Sequence, residues 1–270
     1  MTVFSERKNR RIYDRLTRFL DEEKTSATFP GQFILRIGRF FLGTSYGAGT
    51  LETEGAEGLV VNLGKLDCFT FVENVVALAW HVNSRQKSFE VFCRLLRKTR
   101  YRQGRLQGYA SRLHYFTDWI HDNEKKGIVK DVTAEIGGRP WRKTINFMTT
   151  HQDLYPRLMD AGNLRAMKSV ENTIKRRTLF FIPKKVLKRI EGRIRDGDLI
   201  AITTDREGLD VQHVGIAARV KNRIHLLHAS SKEGRVVLSP KTLYRYLMQS
   251  KVRSGIIVVR ILAKGIEQRS

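Results

Sequence analysis

The residue whose position most suggests chemistry is Cys68, which follows Asp67 and opens the apolar segment 69–78. If this segment is a helix, Asp67 is a good N-cap and the thiol lies in the first turn. There the helix dipole and the free backbone N–H groups favour the thiolate and lower the thiol pKa. The same N–H groups could bind an oxyanion. From the helix alone, a buried structural cysteine is the competing interpretation, because unpaired cysteine is among the most often buried residue types.

Two histidines near the end of the chain could be partners of a reactive thiol. Strand alternation over 211–217 places His213 on a face of small residues. If Lys221-Asn222 forms a two-residue hairpin loop, His213 and His228 become diagonal neighbours on one face and His225 points away. A loop one residue longer or shorter brings His225 to the His213 face instead. The hairpin pattern alone therefore leaves His225 and His228 as alternatives.

The remaining cysteine and histidines are interpreted as structural. Cys93 lies in an apolar helical pattern and is expected in the core. His225 and His228 are three residues apart, so on a strand they point to opposite faces and cannot chelate one ion. No metal site is therefore predicted. Surface or satisfied structural positions are expected for His81, His114, His121 and His151, with His114 a partial exception because of its neighbours.

The elements that must position these residues form a helical first part and a stranded last part. Apolar residues at helical spacing predict helices over 6–22, 89–100 and 112–124, besides the helix that begins at Cys68. Short β-rich runs predict strands over 199–203, 211–220, 224–230, 235–239 and 256–262. Their short connections favour an antiparallel sheet. The order of elements predicts an α+β fold.

The composition is that of a globular protein with one folded unit. The 270 residues are 41% hydrophobic and 29% charged, without a repeat or a linker long enough to mark a boundary. We therefore expect one domain over 1–270, with a helical extension over 1–40 and a mixed helical insertion over 125–195. The apolar runs are too short for a transmembrane helix.

Four short blocks, in their order along the chain, resemble the NlpC-type branch of the papain-like cysteine peptidases and amidases. They are Asp67-Cys68, Gly-Asp-Leu-Ile at 197–200, His213-Val214-Gly215-Ile216 and His228-Ala229-Ser230. Further blocks at 46–52, 62–63, 67–74, 112–120 and 208–211 resemble the branch characterised as N-acetylmuramoyl-L-alanine amidases. The resemblance covers about 41–247. Most NlpC-type enzymes have Ser-Gly after the Asp-Cys pair, whereas this chain has Phe69-Thr70, which matches the amidase branch.

The resemblance implies a papain-like fold, with a central antiparallel sheet packed on the cysteine helix. It makes Cys68 the nucleophile, His213 the general base and acid, and His228 the third polar group, which decides against His225. Tyr46 would lie near the oxyanion. The oxyanion and substrate-binding candidates are Tyr46, Glu52, Asp67, Arg112, Asp118 and Ser230. For Arg112 and Asp118 a structural ion pair is the equal alternative. No cofactor is implied.

The implied function is hydrolysis of the amide bond between N-acetylmuramic acid and L-alanine in peptidoglycan or muropeptides. Two alternatives remain. One is a peptidoglycan endopeptidase that cuts within the stem peptide, which the Phe69-Thr70 pair disfavours. The other is a basic envelope-binding or nucleic-acid-binding protein that has kept the fold without catalysis.

The formal charge of +23, from 50 Lys+Arg against 27 Asp+Glu, predicts an anionic partner. The basic stretch 165–195 could meet nucleic acid, anionic lipid or an acidic cell-wall polymer, or it could be a solvated helix face. Without an aromatic stacking pattern or a DNA-binding motif, no specific nucleic acid is predicted. We expect a monomer. By resemblance the protein would act in the periplasm or cell envelope, although 1–9 lacks the apolar segment of a secretory signal.

Overall fold

The computed structural model describes residues 6–22, 30–82, 84 and 87–262. The predicted extension 1–40 therefore includes 1–5 and 23–29, which lie outside the described residues. The helices are α1 (Glu6–Glu22), α2 (Pro30–Phe40), α3 (Cys68–Val82), α4 (Phe89–Arg100), α5 (Phe116–Lys125), α6 (Phe147–Thr150), α7 (Ala161–Lys175), α8 (Leu187–Ile190) and α9 (Leu243–Met248). The strands are β1 (Ser45–Tyr46), β2 (Lys65–Leu66), β3 (Val129–Asp131), β4 (Arg139–Trp141), β5 (Leu179–Pro183), β6 (Leu199–Thr204), β7 (Val211–Val220), β8 (Arg223–Ser230), β9 (Arg235–Thr242) and β10 (Arg253–Ile261).

The described strands join one mixed sheet in the order β2-β1-β9-β8-β7-β6-β10-β5-β4, with β3 also paired to β10. Its centre, from β9 to β10, is antiparallel throughout, as the short connections predict. Only the small β1–β2 pair is parallel. The α+β fold class is therefore confirmed, whereas the assignment to the papain-like fold stays a prediction.

The predicted hairpin is present. Lys221 and Asn222 both have left-handed backbone, with φ of 45° and 61°, as a two-residue turn of the primed type requires. Val220 pairs with Arg223 and Ile216 with Leu227, the register that follows from a two-residue loop. This register places the residues at 213 and 228 on one face of the sheet.

The helix that begins at Cys68 is the centre of the core. From Phe71 to Leu78 its apolar side chains are buried, because α2 and α4 lie on it from outside while β7 and β8 lie beneath it. A helix that is apolar nearly all round has to be enclosed in this way. A second apolar cluster, which includes Ile200, Leu226 and Ile256, covers the opposite face of the sheet.

Two parts differ from the sequence-based expectation. Helix α5 begins at Phe116 instead of 112, because Arg112 and Tyr115 have extended backbone and Arg112 forms a β-bridge with Tyr101. The segment 125–195 contains strands as well as helices, and β3 and β5 pair with β10. Its status as an insertion stays a prediction. No helix in the described ranges is long and apolar enough to cross a membrane.

A buried ion pair fixes α3 against α4. Arg100 Nε donates to Glu73 Oε2 at 2.8 Å, and the two side chains are 1% and 3% exposed. Arg100 also donates from Nη1 to the backbone oxygen of Val60. Since neither charge reaches water, removing one partner leaves the other uncompensated.

We expect Glu73→Ala to lower the free energy of unfolding by about 3–5 kcal/mol, because Arg100 would stay buried without its counter-charge. Urea denaturation measures the loss. The matched control is Glu135→Ala, since Glu135 pairs with Lys130 at the surface and is 54% exposed; its effect should stay within about 0.5 kcal/mol. Equal effects of the two substitutions would contradict the structural role of the buried pair.

Candidate active site

The start of α3 is fixed by a reciprocal cap. Asp67 Oδ1 accepts from the backbone N of Thr70 at 2.7 Å and from its hydroxyl at 2.8 Å, while the Asp67 N–H donates to Thr70 Oγ1 at 3.0 Å. The Phe69 ring packs edge-on against Phe116 and Trp119 of α5. The Phe69-Thr70 pair therefore has a local structural role, because Phe69 anchors the helix start against α5 and Thr70 completes the cap. Cys68, directly after Asp67, is the first residue of the helix.

The environment of Cys68 disfavours the thiolate. Burial, and next the charge of Asp67, raise the pKa of the thiol to about 12, although hydrogen bonds from the backbone N–H groups of Val214, Cys68 and Phe69 act in the opposite direction. The sequence-based expectation of a lowered pKa is therefore wrong. The helix start does supply N–H groups to the sulfur, but removal from water outweighs them.

His213 and His228 form a hydrogen-bonded pair. His213 Nε2 lies 2.6 Å from His228 Nδ1, and the two rings are perpendicular. Burial, and next His228 and Arg253, lower the pKa of His213 to about 3; burial and Arg253 lower the pKa of His228 to about 4. Both rings are therefore neutral at ordinary pH. His225 is not in the pair, since its Nδ1 lies 2.9 Å from the backbone oxygen of Ser239.

Cys68 and His213 line one small cavity of about 140 Å³. Other residues that line it are Phe69, His114, Tyr115, Phe116, Met148, Tyr155, Asp210 and Gln212. A second cavity of about 270 Å³ shares Phe69, His114 and Tyr155 with the first. The two cavities are therefore neighbours with these three residues between them. A larger cavity of about 520 Å³, beside α2 and the end of β10, is lined by neither cysteine nor histidine.

Tyr46 is brought to the thiol by a short strand pair. In the parallel register of β1 and β2, Tyr46 lies beside Leu66, two residues before Cys68. Burial, and next the proximity of Cys68 and Asp67, raise the pKa of the phenol. The hydroxyl is therefore protonated and able to donate a hydrogen bond near the sulfur.

Glu52, Asp67 and Arg112 line the second cavity. Arg112 Nη2 donates to Glu52 Oε1 at 2.6 Å, Nη1 donates to the backbone oxygen of Leu51, and Nε lies 3.4 Å from Glu57 Oε1. Arg112 is thus in an ion pair, while nearly half of the Glu52 side chain stays exposed. One wall of the second cavity therefore carries a partly exposed carboxylate that is paired with a buried guanidinium.

Asp118 and Ser230 line neither of these two cavities. Asp118 is fully buried, and its two oxygens are bound by Arg102 Nη2 at 2.7 Å and Arg177 Nη1 at 2.8 Å. Asp118 therefore forms ion pairs with these two arginines and not with Arg112. The hydroxyl of Ser230 accepts from the backbone N of Glu233 at 3.1 Å, and Ser230 lines a third cavity together with the two histidines.

A family model described as "AmiA-like: N-acetylmuramoyl-L-alanine amidase-like" matches residues 36–256. The chain belongs to this amidase-like family. An N-acetylmuramoyl-L-alanine amidase from Bacteroides uniformis is 38% identical, with 86% of this chain and 99% of that chain covered and a TM-score of 0.83. A Bacteroides fragilis protein with the name "putative xylanase" is 39% identical, with 83% and 98% covered and a TM-score of 0.79. None of the curated proteins matches the chain.

A more distant structure, of a Legionella pneumophila protein of the DUF1460 family, is 24% identical, with 96% of this chain and 94% of that chain covered and a TM-score of 0.67. At this identity it shows the shared fold alone. The family resemblance seen in the sequence is thus confirmed, and the wider NlpC-type relationship stays a prediction.

Two further polar residues line the candidate site: sequence reasoning missed Asp210 and gave His114 only as a partial exception among the structural histidines. Asp210 accepts from the Thr117 N–H at 2.9 Å and from its hydroxyl at 2.8 Å, so it caps α5 from the start of β7. His114 lies between the two cavities beside the thiol and bonds through Nε2 to the backbone oxygen of Tyr109. Both residues lie in blocks that carry the family resemblance, which was the available signal. Met148 and Tyr155 come from a segment without clear periodicity, which gave none.

The raised thiol pKa predicts how Cys68 reacts with iodoacetamide. Because the thiolate is the nucleophile, the alkylation rate of Cys68 should be low at neutral pH and should rise about tenfold per pH unit as the pH is raised toward the thiol pKa. Mass spectrometry of the Cys68 peptide measures the rate. Cys93, which is buried, gives a reference rate on its own peptide. A fast rate with a plateau between about pH 6 and 8 would instead show a preformed thiolate–imidazolium pair.

Proposed function

We propose that this protein is a cysteine amidase that hydrolyses the bond between N-acetylmuramic acid and L-alanine in peptidoglycan or muropeptides. The observation that carries the proposal is the shared cavity of Cys68, at a helix start, and His213, which is hydrogen-bonded to His228. Membership of the amidase-like family supports the choice of bond.

The resting pair is a neutral thiol and a neutral imidazole, as the raised and lowered pKa values require. His213 carries its proton on Nε2 and donates it to His228 Nδ1, which leaves Nδ1 of His213 as the acceptor for the thiol proton. The proton moves as the sulfur attacks the lactyl carbonyl carbon. The backbone N–H groups of Cys68 and Phe69, with the Tyr46 hydroxyl, stabilise the oxyanion.

The intermediate then collapses with cleavage of the C–N bond. His213 returns the proton to the L-alanine nitrogen, so the peptide leaves as an amine and the muramoyl group stays on Cys68 as a thioester. Water attacks the thioester carbonyl, His213 accepts its proton, and the thiol of Cys68 is released with that proton. His228 keeps the His213 ring in the required tautomer and stabilises the imidazolium between the two steps.

The other residues have supporting roles in this account. Glu52 and Arg112 line the second cavity, which is proposed to receive part of the substrate, while the carboxylate of Asp67 holds the helix start. Asp118, enclosed by two guanidinium groups, positions α5 and does not contact substrate. The third cavity, which Ser230 lines, is also proposed to take part of the substrate.

Glycoside hydrolysis has weaker support, although one similar structure is named as a xylanase. Most glycosidases place two carboxyl groups on either side of the bond. The cavity of Cys68 has one, Asp210, and its oxygens already accept hydrogen bonds from Thr117 and Val211.

Action at the cell envelope is part of the proposal. The excess of Lys and Arg suits attachment of a monomeric enzyme to an anionic surface in the periplasm, with peptidoglycan as the polymer at hand. The proposed steps use no cofactor. The basic side chains include Arg165 and Lys168 on the exposed face of α7.

Digestion of a defined muropeptide should give the free sugar and the intact stem peptide, detected by mass spectrometry. Cys68→Ala should abolish both products, because the thioester cannot form, while its thermal unfolding stays that of a folded protein. L-alanine that remains on the sugar in the products would show an endopeptidase. Unchanged hydrolysis by Cys68→Ala would contradict the cysteine mechanism, and an unreactive native protein would favour the binding-only alternative.

The two histidines of β8, His225 and His228, provide a matched pair of substitutions beside that of His213 on β7. His213→Ala should lower kcat about 10²–10⁴-fold, since the proton acceptor is lost. His228→Ala should also lower kcat, because the His213 tautomer is no longer fixed. His225→Ala, on the same strand but bonded to Ser239, should leave kcat unchanged. A loss with His225→Ala as large as with His228→Ala would refute the assignment.

A further inference from the structure

The histidine pair separates the thiol cavity from a third cavity of about 460 Å³. His213 lines both cavities, Cys68 lines only the first, and His228 lines only the third. The third cavity is formed by the ends of β8 and β9, the start of β10 and helix α9. Gln212 and His213 line both cavities and so form the wall between them.

The charge of the third cavity is mostly positive. Its basic residues are Lys232, Lys241 and Arg253, and its one acidic residue is Glu233. Among the described residues, none of these three cations has an ion-pair partner. Serine hydroxyls at 230, 231, 239 and 250 add hydrogen-bonding groups around them. A carboxylate is the group that such a lining would hold best.

Arg253 is fixed in place and retains a free donor. Its guanidinium lies over the Tyr246 ring at 4.1 Å and donates from Nη1 to the Tyr246 backbone oxygen. The Tyr246 ring in turn packs edge-on against His228, with 5.5 Å between the ring centroids. Arg253 Nε is buried and has no hydrogen-bond acceptor. A buried donor without a partner is costly, so a bound acceptor would stabilise this arrangement.

The direction of the reaction indicates which part of a substrate enters this cavity. The acyl group stays on Cys68, whereas the departing nitrogen must be next to His213 to take its proton. The third cavity borders His213 on the side of His228. We propose that this basic cavity binds a carboxylate of the departing stem peptide, with Lys241 and Arg253 as its contacts. The inference rests on the proposed function for the direction of cleavage.

The test is calorimetric binding of the dipeptide L-Ala-D-Glu to the Cys68→Ala protein, beside the same dipeptide with both carboxyl groups amidated. The acidic dipeptide should bind about tenfold more tightly or better, as a charge-assisted hydrogen bond predicts. Lys241→Gln and Arg253→Gln should each remove most of this preference. Lys168→Gln, an exposed lysine of α7, is the matched control for a lost positive charge and should leave the preference intact.

Lys241→Gln is the more informative variant, because Lys241 is exposed and its loss leaves the packing of Tyr246 untouched. Equal affinity for the two dipeptides, no binding of either, or equal effects of Lys241→Gln and Lys168→Gln would overturn the inference. Muropeptide hydrolysis by the active enzyme separates this result from the proposed function. Hydrolysis without a carboxylate preference would refute only the carboxylate-binding role of the third cavity. Carboxylate binding without hydrolysis would support that role and refute only the proposed amidase function.

Discussion

Two residues with left-handed backbone, Lys221 and Asn222, fix the register of β7 against β8. A side chain on a strand changes face with every residue, so a slip of one would turn His228 away from His213 and put His225 on the His213 face instead. With the observed turn, the 2.6 Å contact between His213 and His228 can form. Strand β7 also carries Val214, whose N–H reaches the Cys68 sulfur, so the same register places the thiol and the histidine pair together.

Burial then determines the protonation states in the site. Cys68 starts a helix that is enclosed in the core, and removal from water disfavours both a thiolate and an imidazolium. In the proposed mechanism, the free N–H groups at the helix start bind a transient oxyanion, the proton moves during attack, and His228 shares the charge that appears on His213.

Local patterns predicted much of the fold and drew attention to the centre of the candidate site. Strand β7 and helix α4 follow from periodicity within one segment, and Cys68 and His213 from their immediate neighbours. What the sequence did not reveal depends on contacts between distant segments. The partners of Asp118, Arg102 and Arg177, come from two other parts of the chain. The thiol pKa likewise depends on how tightly α3 is enclosed, which no local pattern reports.

The most direct test of the central claim is the mass of the acyl group on Cys68 during turnover. Rapid acid quenching of the enzyme with a defined muropeptide, followed by peptide mapping, should show the Cys68 peptide with a muramoyl group that lacks alanine. A Cys68 adduct that retains L-alanine would mean cleavage within the stem peptide. Turnover without any adduct on Cys68, under conditions that trap other thioesters, would contradict the thiol mechanism.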